Sequence, residues 1–219
     1  MFELTKKINS WYKYNNLGII IVYGRSGLGK SSYAWKTIMQ LYPQQEGETN
    51  EQWYDRLKRY IVFKPRELLD LGQELSKTGE RLKSFIIDDA GIWFSKYSWR
   101  DPVALAAIEY LQVIRTRTAS IIMTTPSPKL LMTTLLSLDL FCVKVTMDNE
   151  NNRFAVGYDF SMAPHGKIYV NRRFEDRFNV ILPTPFYNWY RDYRNSYTVH
   201  AEKKMQRAIN YNGEAGENG

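Results

Sequence analysis

The feature that most constrains this chain is an apolar run, Gly18-Ile19-Ile20-Ile21-Val22-Tyr23, continued at once by Gly24-Arg25-Ser26-Gly27-Leu28-Gly29-Lys30-Ser31. A continuous β-branched run suits a strand covered on both faces, as at the centre of a parallel sheet. From Lys30 to about Leu41 the spacing predicts a helix, so the glycine-rich stretch falls between a strand and a helix. Glycine permits positive φ and close backbone approach, which lets successive N–H groups point into one concavity. The helix N-terminus adds partial positive charge, and the combination cradles phosphate. The pattern G-x-x-x-x-G-K-[ST] is matched without a departure, and the expected cradle is Gly24, Arg25, Ser26, Gly27, Leu28, Gly29, Lys30, Ser31 and Ser32. Lys30 is expected to bridge the two terminal phosphates of a nucleoside triphosphate, and the Ser31 hydroxyl to bind Mg²⁺.

A second half to this site is expected at Ser84-Phe85-Ile86-Ile87-Asp88-Asp89, where an apolar strand carries Asp88 to the carboxyl edge of the sheet. There Asp88 is assigned to the Mg²⁺ hydration shell and Asp89 to the attacking water. An Asp-Asp pair after a strand also serves as a helix cap or turn, and the neighbouring phosphate loop favours the metal reading. Thr124 and Thr125 end the strand Ser120–Thr125, where a hydroxyl can either read the terminal phosphate or close its own turn.

The rest of the chain supports one α/β core with an appendage. Phe2, Leu4, Ile8 and Trp11 predict an amphipathic helix through Tyr14. Tyr60–Phe63 is a second strand, Pro65 with Leu68, Leu69, Leu71 and Leu75 a returning helix, and Asp101-Pro102 the start of a helix reaching about Ile114. Residues 43–50 are polar, with breakers, and read as a surface loop. Phe141–Val145 is the last core strand. Arg153–Phe160 and Lys167–Val170, separated by the turn Pro164-His165-Gly166, form a β-meander, and a helix follows from about Phe186 to Ile209. The expected domains are thus a core over 1–147, a meander and helix packed on it over 148–211, and a disordered tail over 212–219.

At 219 residues with 44% apolar content, no uninterrupted apolar run approaches the length a membrane helix needs, about 18 residues. Neither membrane association nor a secretory leader is expected, and the expected compartment is the cytoplasm. One cysteine excludes an intramolecular disulfide and a multi-cysteine zinc site, and the two histidines lack ligand spacing. The formal charge of +7 favours an anionic partner, for which nucleic acid is the commonest macromolecule.

Over roughly residues 18–145 the chain resembles the additional-strand P-loop ATPases. Phe63–Asp70 and Ile86–Gly91 are similar to the AAA+ helicase-loader and transposition-helper ATPases, while Asp88-Asp89-Ala90 followed by Trp93-Phe94 is similar to FtsK/HerA-type DNA pumps and filamentous-phage assembly ATPases. The resemblance implies a three-layer fold with a mainly parallel central sheet, ATP and Mg²⁺ as ligands, a homo-oligomer, and DNA as the nucleic-acid partner in viral or plasmid packaging, translocation or replication. Relatives place Glu where Asp89 stands, so this acid has a shorter reach. The four-helix lid of AAA+ proteins has no counterpart here, and the meander and long helix stand in its place.

Ring-forming relatives insert an arginine from a neighbouring subunit, and Arg115, Arg117 or Arg100 is the expected finger; the alternative is that they neutralise a helix C-terminus. Arg25 could serve its own subunit's nucleotide. Cations at Arg172, Arg173, Arg177, Arg191, Arg194, Lys203, Lys204 and Arg207 interleave with aromatics and form the expected nucleic-acid rim. Phe186, Tyr190, Tyr193 and Tyr197 recur at helical spacing, which points to a packing stripe. Two competing functions stay open: a nucleoside or nucleotide kinase, and an ATP-gated assembly or partition protein with weak hydrolysis.

Overall fold

The computed structural model describes residues 1–98, 100–136, 140–162 and 168–216. Helices α1 (Glu3–Lys13), α2 (Lys30–Leu41), α3 (Asn50–Lys58), α4 (Pro65–Thr78), α5 (Pro102–Val113), α6 (Thr133–Leu136) and α7 (Thr184–Gly216) alternate with or follow seven strands. The strands are β1 (Gly18–Tyr23), β2 (Ile61–Val62), β3 (Phe85–Ile87), β4 (Ser120–Thr125), β5 (Leu140–Met147), β6 (Arg153–Met162) and β7 (Ile168–Phe178). They form one sheet in the order β2-β3-β4-β1-β5-β6-β7.

The first five strands in that order pair in parallel, and β6 and β7 continue the sheet as an antiparallel hairpin. Burial explains the division. The residues Ile19–Val22 are buried without alternation, as a strand covered on both faces must be. Crossovers between parallel strands are right-handed, so connections that step in opposite directions along the sheet lie on opposite faces. The chain steps one way from β1 through α2 and α3 to β2, and the other way through α4 and α5 to β3 and β4. That places α2 opposite α4 and α5 and gives the expected three layers. By its contacts the chain forms two compact units, Met1–Ile181 and Leu182–Gly219. Met147 therefore ends a strand inside the first unit's sheet.

The hairpin also caps the first helix. No side chain of its own caps α1. Instead Asp176, on β7 and buried, accepts from the backbone N–H of Glu3 at 2.8 Å, from that of Leu4 at 3.4 Å and from the Tyr33 hydroxyl at 2.6 Å. A carboxylate at a helix N-terminus satisfies orphan donors and favours the dipole. Its burial and the neighbouring Asp176 charge push the Tyr33 phenol well above its usual range.

Three elements differ from the sequence reading. Helix α3 was not expected. Thr49 and Gln52 form a reciprocal capping box at its start, a T-x-x-Q signal present in the sequence. Strand β7 runs through Phe178 rather than ending at Val170, because Asp176 and Phe178 face the core while Arg177 between them faces water. Helix α7 continues to Gly216, into the segment expected as a tail, and residues 217–219 lie outside the described set, as do residues 163–167, where the turn Pro164-His165-Gly166 is expected. Within the second unit, Phe186, Trp189 and Tyr193 form a ladder with ring centroids 5.9 and 6.0 Å apart. Phe186 and Tyr190 are buried and Tyr193 half-buried, whereas Tyr187 is exposed.

Candidate nucleotide-phosphate site

The glycine-rich stretch joins β1 to α2 at the carboxyl edge of the parallel strands. Two of its glycines are required by their neighbours. Gly24 has φ 153°, and a Cβ there would lie 2.5 Å from the Val145 carbonyl oxygen on β5. Gly29 has φ 94°, and a Cβ there would lie 2.4 Å from Val180 Cγ1 and 3.3 Å from Phe178 Cε2. Gly29 is also the N-cap of α2, and no side chain caps that helix. The first-turn N–H groups of α2 are thereby left for a ligand to satisfy. Lys30 is buried, and its ammonium donates to the Arg25 carbonyl at 3.1 Å, so it is held across the mouth of its own loop. Arg25, Ser26 and Gly27 are exposed; Leu28, Ser31 and Ser32 are half-buried.

The two acids lie beside this loop. Asp88 follows β3, is only 1% exposed, and accepts from Ser31 Oγ at 2.8 Å and from Thr124 Oγ1 at 2.6 Å. The Thr124 hydroxyl in turn accepts from the Asp89 backbone N–H at 2.9 Å. Thr124 thus ties the two acids to the end of β4, so its hydroxyl acts in both directions within the protein. Asp89 has φ 50°, a left-handed conformation that Asp tolerates better than most residues, and its side chain is half-buried. The Ser31 hydroxyl and Asp88 carboxylate supply the hard oxygen donors that suit Mg²⁺, and their direct contact puts both on one spot. Thr125 donates to the Ser127 carbonyl at 3.2 Å and closes its own turn.

The arginines lie elsewhere. Arg115 and Arg117 precede β4, hence at the amino edge of the sheet, and the six residues of β4 separate them from the phosphate loop by about 20 Å. Arg117 donates to the Leu75 carbonyl at 3.3 Å, in the last turn of α4, while Arg115 is exposed. Neither reaches this chain's own site. Arg100, just before α5, stands at the carboxyl edge. Among the C-terminal cations, Arg172 pairs with Glu175, Arg173 with Asp159 at 2.6 Å, and Arg177 bonds Asn152. Arg191 meets Asp192 at 3.3 Å and Arg194 lies over the Tyr190 ring. The side chains of Lys203, Lys204 and Arg207 lie outside the description. Sequence reasoning missed Val145, Phe178 and Val180 as neighbours of the loop, and no spacing signal could have found them.

A phosphate loop after β1, an acid after β3 and a further strand, β4, between those two define the additional-strand P-loop nucleoside triphosphatase fold. No protein-family model matches the chain. It is 31% identical over 124 residues to uncharacterized protein B-251 of Sulfolobus spindle-shape virus 1, covering 57% of this chain and 49% of that one. It is 33% identical over 112 residues to uncharacterized protein ORF286 of Acidianus two-tailed virus, covering 49% of this chain and 35% of that one. The chain therefore spans half or less of the length of these relatives. Among solved structures, the N-terminal domain of zonular occludens toxin from Neisseria meningitidis gives a TM-score of 0.46 at 16% identity, covering 79% of this chain and 98% of that one. The genome packaging NTPase B204 from Sulfolobus turreted icosahedral virus 2, in complex with ATP-gammaS, gives 0.42 at 14% identity, covering 70% and 96%. Scores this low add nothing to the fold already read from strand order. No helix among the described residues is long and apolar enough to cross a membrane.

Proposed function

We propose that this chain binds ATP with Mg²⁺, hydrolyses it, and couples the reaction to nucleic acid, with DNA the expected partner, as a virus-type oligomeric ATPase acting in the host cytoplasm. The observation that carries the reading is the chain of bonds from Ser31 to Asp88 to Thr124 to Asp89, set against the phosphate loop. Mg²⁺, when bound, would neutralise charge on the terminal phosphates. Lys30 turns from the Arg25 carbonyl to the incoming phosphates, and the uncapped first turn of α2 donates its N–H groups to them. Asp89 orients the attacking water and accepts its proton. Both curated relatives are viral proteins, which supports the setting. The formal charge of +7 supports the partner.

The test is ATP turnover by the full chain, with and without Mg²⁺ and with single- or double-stranded DNA. Turnover that needs Mg²⁺ and rises with DNA is the expected result. Phosphoryl transfer to a nucleoside in place of water would replace this reading with the kinase. Tight ATP binding with no turnover under any condition would replace it with a nucleotide-gated assembly protein, which the short reach of Asp89 favours as the second reading.

A further inference from the structure

The phosphate loop has two unlike flanks, and only one is used by the chemistry above. On the β4-β3 flank stand Ser31, Asp88, Thr124 and Asp89, all polar and mutually bonded. The terminal phosphate and its cation belong on that side, because the acids that serve them are there. A nucleotide anchored by its phosphates is elongated, and the opposite flank, over β5, β6 and β7, is the side these acids leave to its nucleoside. On that flank the loop is not bare. Val145 of β5 presses on Gly24, and Val180, just beyond β7, presses on Gly29.

The segment that carries Val180 is held in place. Phe178, buried, packs its ring 5.2 Å from that of Tyr33 on α2. The Asn179 side-chain oxygen accepts from Lys36 Nζ, also on α2, at 2.5 Å, and from the Ile181 backbone N–H at 3.2 Å. The contact with Lys36 is accompanied by partial burial that lowers that ammonium's pKa. Asn179 thus pins the turn of chain leaving β7 to the second turn of α2. Within this pinned turn Val180 is half-buried against the loop, while Ile181 is 76% exposed. An exposed isoleucine on a braced segment beside a phosphate cradle is apolar surface with no use in the core.

We infer that Val180 and Ile181 form the nucleoside-side wall of the phosphate site, against which the sugar and base of a bound nucleoside triphosphate lie. This rests on the phosphate-loop reading and extends it to the rest of the ligand. Aliphatic side chains meet a base through its face and offer no hydrogen-bonding edge, so the wall adds affinity for a nucleoside without selecting among bases. The Gly29 contact explains why the wall sits so close: any side chain at Gly29 would displace Val180.

The experiment compares three ligands that share a triphosphate, two with different nucleosides and one with none. Affinities for ATP, GTP and inorganic tripolyphosphate are measured by calorimetry on the full chain, in the wild type, Ile181→Ser and Val180→Ala. Ile181→Ser changes an exposed side chain and leaves the core intact. The expected result is that Ile181→Ser weakens ATP and GTP alike by about three- to tenfold, the scale of a lost partial apolar contact, while tripolyphosphate binding stays within error. Val180→Ala should weaken the nucleotides in the same direction. Equal losses for ATP and tripolyphosphate, or no loss for either, would overturn the wall. Loss of ATP affinity with GTP unchanged would overturn its face-only character. A wild type that binds neither ATP nor tripolyphosphate would instead overturn the phosphate site itself, and the wall with it.

Discussion

The parallel strands and the hairpin strands of this sheet serve the same loop by different means. β2, β3 and β4 are 2, 3 and 6 residues long and buried, and β3 and β4 contribute to the site through residues at or just past their ends. β6 and β7 are 10 and 11 residues long, carry arginines and carboxylates on their exposed positions, and contribute through side chains far apart in sequence. Asp176 reaches back 173 residues to cap α1, and Val180 lies against Gly29. The first kind of contribution is local, so a motif records it. The second depends on where a long antiparallel ribbon happens to return, and removing it should cost stability before it costs chemistry.

Asp89→Asn should separate the two most sharply. Turnover is expected to fall by about a thousandfold, the usual scale for losing a general base, with ATP affinity unchanged because Asp88 and Lys30 remain. Single-turnover kinetics beside an equilibrium binding curve measure both quantities; wild-type turnover in this variant would take the water away from Asp89. On the hairpin side, Asp176→Ala strands two backbone donors and the Tyr33 hydroxyl, all partners of one buried carboxylate. It should lower unfolding stability by about 3 kcal/mol, read from urea denaturation, while the folded fraction keeps its ATP affinity. A loss of ATP affinity without a loss of stability would reverse the assignment of roles.

Thr124→Val sharpens the same comparison inside the flank that holds the two acids. The hydroxyl bonds both acids, so its removal should destabilise the ligand-free protein by about 2 kcal/mol. If stability without nucleotide is unchanged and only turnover drops, Thr124 reads the phosphate rather than bracing the acids. The smallest effect is expected at Cys142, on β5 where the two halves join. Burial pushes its thiol up from 9.0 to about 11. The folded state then holds the proton more tightly, so this contribution is complete below pH 9 and fades as pH rises toward 11. Discounted for partial solvation it is worth about 1 kcal/mol. A Cys142→Ala variant should show a correspondingly flatter stability profile between those pH values.

How much of this was legible in the sequence follows from the same contrast. Residues 24–31 and the pair Asp88-Asp89 could be read directly, because strand, loop and helix are contiguous and the acid follows its strand by one residue. The capping box at Thr49 is equally local, but it lies in a stretch rich in turn residues that reads as a loop. Arg115 and Arg117 show the limit from the other side. Their position after a helix and before a strand was readable, yet their distance from the loop depends on strand direction, and parallel pairing puts them at the amino edge.

The sequence by itself determined the phosphate loop, the acid that faces it and the alternation of short apolar strands with helices, since each depends on hydrogen bonds and burial within a few residues. Only the tertiary structure decided that β4 lies between β1 and β3, that Thr124 joins the two acids, that β7 supplies the cap of α1, and that the residues just past β7 supply the neighbour of Gly29. Those contacts connect residues 35 to 173 positions apart. No local propensity encodes such pairs; they arise when buried donors, acceptors and close backbone approaches must all be satisfied at once in a single packed sheet.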